Sequence, residues 1–311
     1  MKKNVCTSDK TYAKGLLLAL TAGILWGMTG PLGQYLFDSK GVIPDWIVPY
    51  RMLAAGGMIL LALFIKKKNE IFLVWRTRQD ALQMLVYSVA GMMAVQYSFF
   101  VAVEASNGGT ATVLQYTNPV MIIIYMAIFK NVRPTIRETI AILLALAGIF
   151  LLATNGNIHT LVITPKGLAM GLLCAFFTCL YSMLPKKLLE KYDATVVCGW
   201  SMLTGGAVLG LWRRPWSLGI EADVQVWGLF LILVVAGTVI PFAASLKAIP
   251  IIGPVYANVL ASIEPVVASV LTFAFLGTQF GKMELFGFAL VILTILILAL
   301  QKEKNQTEAD S

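Results

Sequence analysis

The chain has 311 residues, of which 58% are hydrophobic and only 13% carry a charge, whereas soluble domains carry about 25% charged residues. This composition excludes a soluble globular domain and indicates a protein that crosses a lipid bilayer several times. The net charge of +8 does not indicate a nucleic-acid partner, because the basic residues lie in short segments between apolar runs, where they orient membrane helices.

Ten apolar runs follow one another along the chain, each near the length of roughly 20 residues that a spanning helix needs. Backbone groups inside lipid must pair within their own segment, so each run is predicted to form a helix. The sequence thus predicts an all-α membrane protein with ten transmembrane helices, at about residues 15–36, 44–65, 80–102, 108–129, 134–154, 165–185, 195–212, 224–246, 253–277 and 283–301.

Lysine and arginine residues are concentrated in every second loop. Of the 24, 18 lie at the two termini and in the loops near 66–79, 130–137, 186–191 and 247, five lie in the remaining loops, and Arg51 lies inside the second run. Loops rich in Lys and Arg stay on the cytoplasmic side of a membrane. Both termini are therefore predicted to be cytoplasmic.

Two stretches of the chain repeat one another. Residues 107–119 read NGGTATVLQYTNP, and residues 253–265, which lie 146 positions later, read GPVYANVLASIEP. We therefore predict two repeats, residues 1–157 and 158–311, of five helices each. Because five is odd, the second repeat enters the membrane in the opposite direction, as in many secondary transporters.

Polar residues form a stripe along the fourth run. Thr112 and Gln115 share one helix face with Pro119, and Tyr116 and Asn118 flank that face. Polar side chains that face lipid are costly, so the stripe is predicted to line a cavity. The alternative is that these residues join neighbouring helices by packing and hydrogen bonds.

The ninth run carries the counterpart of this stripe, with Asn258 and Ser262 in the same phase. Prolines inside the runs free backbone carbonyls and mark predicted helix breaks. The predicted breaks lie at Pro31, Pro119, Pro185 and Pro265. Further candidate cavity residues outside the two stripes are Trp26, Tyr35, Gln96, Tyr97 and Tyr181, although core filling is the interpretation we favour for any one of them.

Glu264 lies about eleven residues into the ninth run, which places a carboxylate near the middle of the membrane. Ionisable residues at that depth mark functional sites. Glu264 is a candidate proton carrier and a candidate counter-charge for a cationic substrate. The alternative is a structural Glu that bonds to a neighbouring helix.

Arg51 lies about seven residues from the end of the second run, so roughly 10 Å deep at 1.5 Å per residue. Its guanidinium is a candidate clamp for a substrate carboxylate, since the fork of N–H groups matches a carboxylate. The interpretation we favour from the sequence is that the side chain snorkels to the headgroups or serves a structural role.

Motifs of enzyme chemistry are absent from the sequence. The chain contains no Walker A motif, nucleophile elbow, zinc-protease HExxH or dinucleotide fingerprint. The single histidine, His159, and the four dispersed cysteines do not form a zinc-ligand pattern. We predict no catalytic residue, no metal site and no cofactor, and hence no enzyme.

Three segments carry a family resemblance: AGILWGMTGPLGQYL at 22–36, NGGTATVLQYTNPV at 107–120 and VYANVLASIEPVVASVLTFAFLG at 255–277. With them the chain resembles the EamA-type members of the drug/metabolite transporter superfamily along nearly its whole length. The resemblance implies inverted five-helix repeats around a central cavity and transport of amino acids or other small metabolites, often outward. Glu264-Pro265 matches a recurring Glu-Pro-Val pattern, and Asn118-Pro119 holds the twin position.

Two departures from the family pattern bear on mechanism. Many members carry an acidic residue after the ninth helix, where this chain has Thr278-Gln279. The related four-helix small multidrug exporters depend on a Glu in their first helix, whereas the first run here contains no acid between residues 15 and 36. Their simple proton-for-cation exchange is therefore not expected here.

The sequence predicts a secondary active transporter that works by alternating access in the cell membrane of a prokaryote. Its partners are a small-molecule substrate and the lipid bilayer, with amino acids or related compounds as substrates and export as the direction. A multidrug or organic-cation exporter is the first alternative. A membrane scaffold or intramembrane enzyme is the second. A monomer and a homodimer both remain open.

Overall fold

Helices make up the regular secondary structure of the described residues. The structure, a computed structural model, describes residues 9–131, 133–157 and 162–309. The side chains of residues 9, 10, 130, 254–256, 258, 259 and 299–309 lie outside that description, as does His159. The prediction of an all-α membrane protein is confirmed for the described chain.

The described residues of the first half form eight α-helices. A 3₁₀ segment at 68–75 follows the third, and a π-helical segment at 87–93 joins the fourth to the fifth. The helices are α1 (Asp9–Gly27), α2 (Thr29–Lys40), α3 (Pro44–Lys67), α4 (Arg78–Val86), α5 (Ala94–Ala105), α6 (Gly108–Gln115), α7 (Asn118–Lys130) and α8 (Ile136–Thr154).

In the second half, the part of the chain that the structure describes forms seven α-helices with similar interruptions. A π-helical segment at 235–239 joins two of them, and a short 3₁₀ turn lies at 215–217. The helices are α9 (Pro165–Met183), α10 (Lys186–Lys191), α11 (Ala194–Arg213), α12 (Val224–Val234), α13 (Ile240–Ala261), α14 (Glu264–Leu276) and α15 (Lys282–Ala309).

Eight of the ten predicted spans are long and apolar enough to cross a bilayer, and they cover the first eight runs. The ninth run is not one continuous helix. Its first part extends α13 beyond Gly253, whose φ of 81° interrupts the helical backbone, and its second part is the 13-residue α14. A glycine adopts this φ without the steric cost that a Cβ would impose.

Four predicted spans are interrupted beside a predicted break, three of them near their middle and the sixth near its end. Pro31 is the third residue of α2, and Pro185 directly precedes α10. Pro119 and Pro265 are the second residues of α7 and α14. A proline has no N–H to donate and its φ suits the first helical turn, so each ring starts a new helix segment without losing a bond.

Ion pairs show which loops share a side of the molecule. Lys67 pairs with Asp193, and Lys191 pairs with Asp80. We call the side that carries these four residues the lysine-rich face. Lys40–Asp223, Arg213–Asp45 and Lys166–Glu104 connect loops at the other end of the helices, which we call the opposite face.

The largest core cluster joins the two halves of the chain, with α3 packed against α11. Their backbones approach closely at Gly56. A Cβ on Gly56 would lie 2.5 Å from the backbone nitrogen of Leu203, whereas a Cβ on the neighbouring Gly57 would meet no atom within 4 Å. Small residues allow this close helix approach in membranes.

These adjacent glycines give a matched pair of variants. Gly56→Ala should destabilise the protein by about 1–3 kcal/mol, because the two helices must separate to admit the methyl group. Gly57→Ala should be neutral or stabilising by up to about 1 kcal/mol, because alanine favours the helix more than glycine does. Thermal unfolding of the purified protein in detergent measures both. Equal melting temperatures for the two variants would contradict the packing described here.

Candidate functional site

A cavity of about 180 Å³ lies at the centre of the bundle, beside the interruptions of the spans. Seven of the first nine predicted spans contribute to its wall. The lining residues are Trp26, Thr29, Arg51, Met92, Val95, Gln96, Phe99, Gln115, Thr178, Tyr181, Phe242 and Glu264.

Arg51 enters this cavity from α3 and is held from two sides. Its Nε donates to Thr238 Oγ1 at 2.8 Å, and its Nη1 donates to Gln96 Oε1 at 3.1 Å. The guanidinium carbon lies 4.8 Å from the centre of the Phe100 ring. The residue is only 4% exposed, so the snorkelling interpretation is wrong: neutral hydrogen-bond acceptors and an aromatic face inside the bundle hold the side chain.

The π-helical segment at 235–239 presents the threonine that holds Arg51. Thr238 is buried, and its hydroxyl donates to the carbonyl of Leu233 at 3.1 Å, five residues earlier. Its oxygen remains available to accept the bond from Arg51 Nε. Single π-turns inside α-helices are rare and occur frequently at functional sites.

Glu264 enters the cavity from the first turn of α14. The tyrosine hydroxyl of Tyr116 donates to Glu264 Oε2 at 2.9 Å and also lies 3.3 Å from the carbonyl oxygen of Ala261. The sequence predicts a helix break at Pro265, and Glu264 begins the helix segment at that break. A helix N-terminus favours a carboxylate through its free N–H groups and its dipole.

The two charged residues of the cavity are not paired with one another. Among the side chains that the structure describes, neither Arg51 nor Glu264 has an opposite charge within 4.0 Å. A buried charge without a counter-charge is costly unless other groups satisfy it. Neutral groups satisfy both residues instead: Thr238 and Gln96 accept from Arg51, and Tyr116 donates to Glu264.

Aromatic rings form much of the remaining wall. Trp26 packs edge-on against Phe242 with ring centres 5.2 Å apart, and Tyr181 stacks on Tyr87 at 5.7 Å. These rings provide an apolar surface between the polar groups. A few convergent polar groups in a mainly apolar, aromatic cavity is the usual composition of a small-molecule site.

Six sequence-predicted candidates lie together in the cavity wall, namely Trp26, Arg51, Gln96, Gln115, Tyr181 and Glu264. A seventh, Tyr116, reaches it through its bond to Glu264. The cavity thus draws on both the fourth and the ninth run.

Other predicted candidates lie elsewhere. Thr112 is buried away from the cavity, where it donates to the carbonyl of Gly108 in its own helix. Asn118 donates to the carbonyl of Gln115 at 3.1 Å, and Tyr97 donates to Asp45 on the opposite face at 2.7 Å. Ser262 lies in the interruption between α13 and α14. The side chain of Asn258 lies outside the described residues.

The sequence did not single out Thr29, Met92, Val95, Phe99, Thr178 or Phe242 as lining residues, nor Thr238 as a partner of Arg51. Thr238 had a usable signal, since it is a polar residue near the middle of a strongly apolar run. The apolar lining residues had no such signal in the sequence, because a membrane helix contains many aliphatic and aromatic residues and nothing in the sequence separates those that face a cavity from those that face lipid.

Comparison with known proteins gives a consistent result. The family model described as the EamA-like transporter family matches the chain twice, at residues 13–154 and 165–300. A protein of Salmonella typhimurium named as an uncharacterized inner membrane transporter, YicL, is 33% identical over 296 residues, covering 95% of this chain and 98% of that protein.

More distant relatives agree. An uncharacterized transporter of Bacillus subtilis, YyaM, is 24% identical over 291 residues, covering 90% of this chain and 92% of its own length. A solved crystal structure matches with a TM-score of 0.63 at 17% sequence identity, over 94% of this chain and 98% of that chain. At this identity the structural match shows a shared fold.

Proposed function

This chain belongs to the EamA-like transporter family, and from that premise we propose that it is a secondary active transporter of small polar metabolites, above all amino acids and related compounds. The family and the transporter names of its relatives indicate a membrane transporter rather than an enzyme. The transport mechanism we propose is alternating access, with export as the direction.

Symmetry in the helix packing supports two inverted repeats of five spans, residues 1–157 and 158–311. In the two repeats α1 corresponds to α9, and α5 corresponds to α13. The contact of α1 with α13 therefore has the contact of α9 with α5 as its counterpart, and both contacts are present. The pairs α3 with α11 and α8 with α15 each map onto themselves. The two π-helical segments also hold equivalent positions in the third and eighth spans.

The observation that carries the proposed substrate class is the presence of Arg51 and Glu264 in one cavity without a mutual ion pair. A substrate carboxylate would pair with the guanidinium, and a substrate ammonium would pair with the carboxylate. A zwitterion supplies both charges in one small molecule. Its side chain would lie against the aromatic wall.

A second candidate function is export of lipophilic cations. It is favoured by the ring faces of Trp26, Phe242 and Tyr181 beside a carboxylate, because cations bind to aromatic faces. Arg51 disfavours this function, since a buried guanidinium repels a cation that brings no carboxylate.

We propose that the protein lies in the cell membrane of a prokaryote, as the bacterial relatives suggest. The distribution of lysine and arginine supports cytoplasmic termini and a cytoplasmic lysine-rich face. The absence of a cofactor, of a metal and of a nucleic-acid partner stays a prediction, as does the choice between a monomer and a homodimer.

Transport by the purified protein in liposomes tests the proposed function. We expect saturable uptake of one or more labelled amino acids, stimulated by a pH gradient, and weak uptake of the matching amines that lack the carboxylate. Protein-free liposomes are the control. Transport of cationic dyes alone would support the second candidate, and the absence of transport across an amino-acid and dye panel would contradict both.

A further inference from the structure

Ion pairs cross-link the helix ends on both faces, and the pairs of one face have counterparts on the other. On the lysine-rich face, Lys191 lies 2.7 Å from Asp80, which is near the start of the third span. On the opposite face, Lys40 lies 3.3 Å from Asp223, which caps the start of the eighth. Lys40 ends the first span and Lys191 ends the sixth, which are equivalent spans of the two repeats. The third and eighth spans are equivalent too, so each ion pair is the counterpart of the other.

The second pair on each face follows the same rule. Lys67 at the end of α3 lies 2.7 Å from Asp193, which caps α11. Arg213 at the end of α11 lies 3.3 Å from Asp45 at the start of α3. Four of the five ion pairs of the described residues thus form two symmetry-related sets, and each distance on the lysine-rich face is the shorter one.

The counterparts also differ in burial. The side chain of Asp80 is only 5% exposed, and it accepts from the Thr77 hydroxyl at 2.7 Å and from the Tyr192 hydroxyl at 2.9 Å. The side chain of Asp223 is 58% exposed. Exposed pairs contribute little to stability, whereas a buried carboxylate with several donors holds its partners firmly.

The helix that carries Lys40 closes the opposite face. α2 packs against α5, α6, α12 and α14. A Cβ on Gly108 would lie 2.5 Å from the carbonyl carbon of Gly30, and the Gly108 N–H donates to Gln34 Oε1 at 3.0 Å. Because Thr29 at the start of α2 lines the central cavity, this contact seals the bundle directly beyond the cavity.

The helix that carries Lys191 lies differently. α10 packs against α4 and α11. A shallow surface depression lies along it, lined by five exposed residues of this one stretch, namely Ser182, Met183, Lys186, Leu189 and Glu190. Thr178 of the central cavity and Ser182 lie one turn apart on α9, and Lys186 and Glu190 lie one turn apart on α10, beyond the break at Pro185.

We propose that this conformation is open to the lysine-rich face, that α2 and α10 are the two gates, and that Asp80 is the positioning residue that holds α10 open. This inference rests on the proposed transport function. When the lysine-rich face closes, α10 moves toward the bundle centre, as α2 has done on the opposite face in this structure. That movement lengthens the Lys191–Asp80 distance from 2.7 Å toward the 3.3 Å of the Lys40–Asp223 pair. Each gate is therefore latched when its own face is open.

Reactivity of single cysteines tests the latch without any substrate. In a background with the native cysteines replaced by alanine, Ser182→Cys reports the exposed surface beside α10, and Thr272→Cys, at a fully buried position, reports the sealed side. Asp80→Asn should slow the reaction of Ser182→Cys with a water-soluble maleimide on the order of tenfold, because a charge-assisted bond is lost, and should speed that of Thr272→Cys. Asp223→Asn is the matched control and should leave the Ser182→Cys rate at its parent value.

Two further variants separate the latch from other effects. Lys191→Gln removes the exposed half of the pair and should reproduce Asp80→Asn if the latter folds poorly, whereas Asp80→Glu should restore labelling toward the parent rates. Unchanged Ser182→Cys rates in both Asp80→Asn and Lys191→Gln would overturn the latch. If transport is normal but the labelling rates do not change in the variants, the latch is rejected and the proposed function stands. If the labelling rates change as expected but the protein transports nothing, the proposed function is rejected and the latch stands.

Discussion

Arg51→Gln should lower the affinity for carboxylate-bearing substrates by at least about thirtyfold, since removing one partner of a buried hydrogen-bonded charge pair costs about 2–5 kcal/mol. The guanidinium is preorganised by Thr238 and Gln96 and by the Phe100 ring, so little side-chain freedom remains to be lost on binding. Binding of an amino acid, measured by thermal shift or calorimetry on the purified protein, is the test.

The matching amine without a carboxylate separates a clamp from a structural role. Arg51→Gln should leave the affinity for that amine unchanged or raise it, because the repelling cation is gone. Arg51→Lys should recover only part of the loss for the acid, since an ammonium lacks the planar fork of donors. Arg214→Gln, at an exposed arginine, is the control. Equal losses for acid and amine would contradict the clamp.

Glu264→Gln should abolish the stimulation of transport by a pH gradient, because it removes the ionisable group from the cavity. The amide still accepts a bond from the Tyr116 hydroxyl, which now lies 2.9 Å from Glu264 Oε2, so the local structure should persist. Exchange of labelled for unlabelled substrate without a gradient should remain measurable, though weakened on the order of tenfold by loss of the ammonium partner. Uptake and counterflow in liposomes measure the two quantities.

Glu284→Gln is the matched control for this variant. Glu284 is also partly buried, and it accepts from Thr110 at 3.3 Å, away from the central cavity. Its variant should keep the response to a pH gradient. A Glu264→Gln protein that responds to the gradient as the parent does would refute proton coupling through this residue, whatever its effect on affinity.

Local patterns predicted much of this protein. Apolar runs near the length of the bilayer located the first eight spans, because lipid forces each such segment to satisfy its own backbone. Pro31, Pro119, Pro185 and Pro265 marked the interruptions, because a ring that cannot donate begins a helix segment more easily than it continues one. The sequence also singled out Arg51 and Glu264 as charges out of place in lipid.

Only the tertiary structure decided what those residues face. Thr112 and Gln115 belong to one stripe in the sequence, yet Thr112 is buried away from the cavity and Gln115 lines it. Arg51 turns inward because Thr238 lies opposite it, 187 residues away.

The sequence by itself therefore determined the class of protein, the positions of its spans and their interruptions, since these depend on neighbours along the chain. The tertiary structure decided the cavity, its two unpaired charges and the ion pairs at either face, because each of these arises where helices distant in sequence meet.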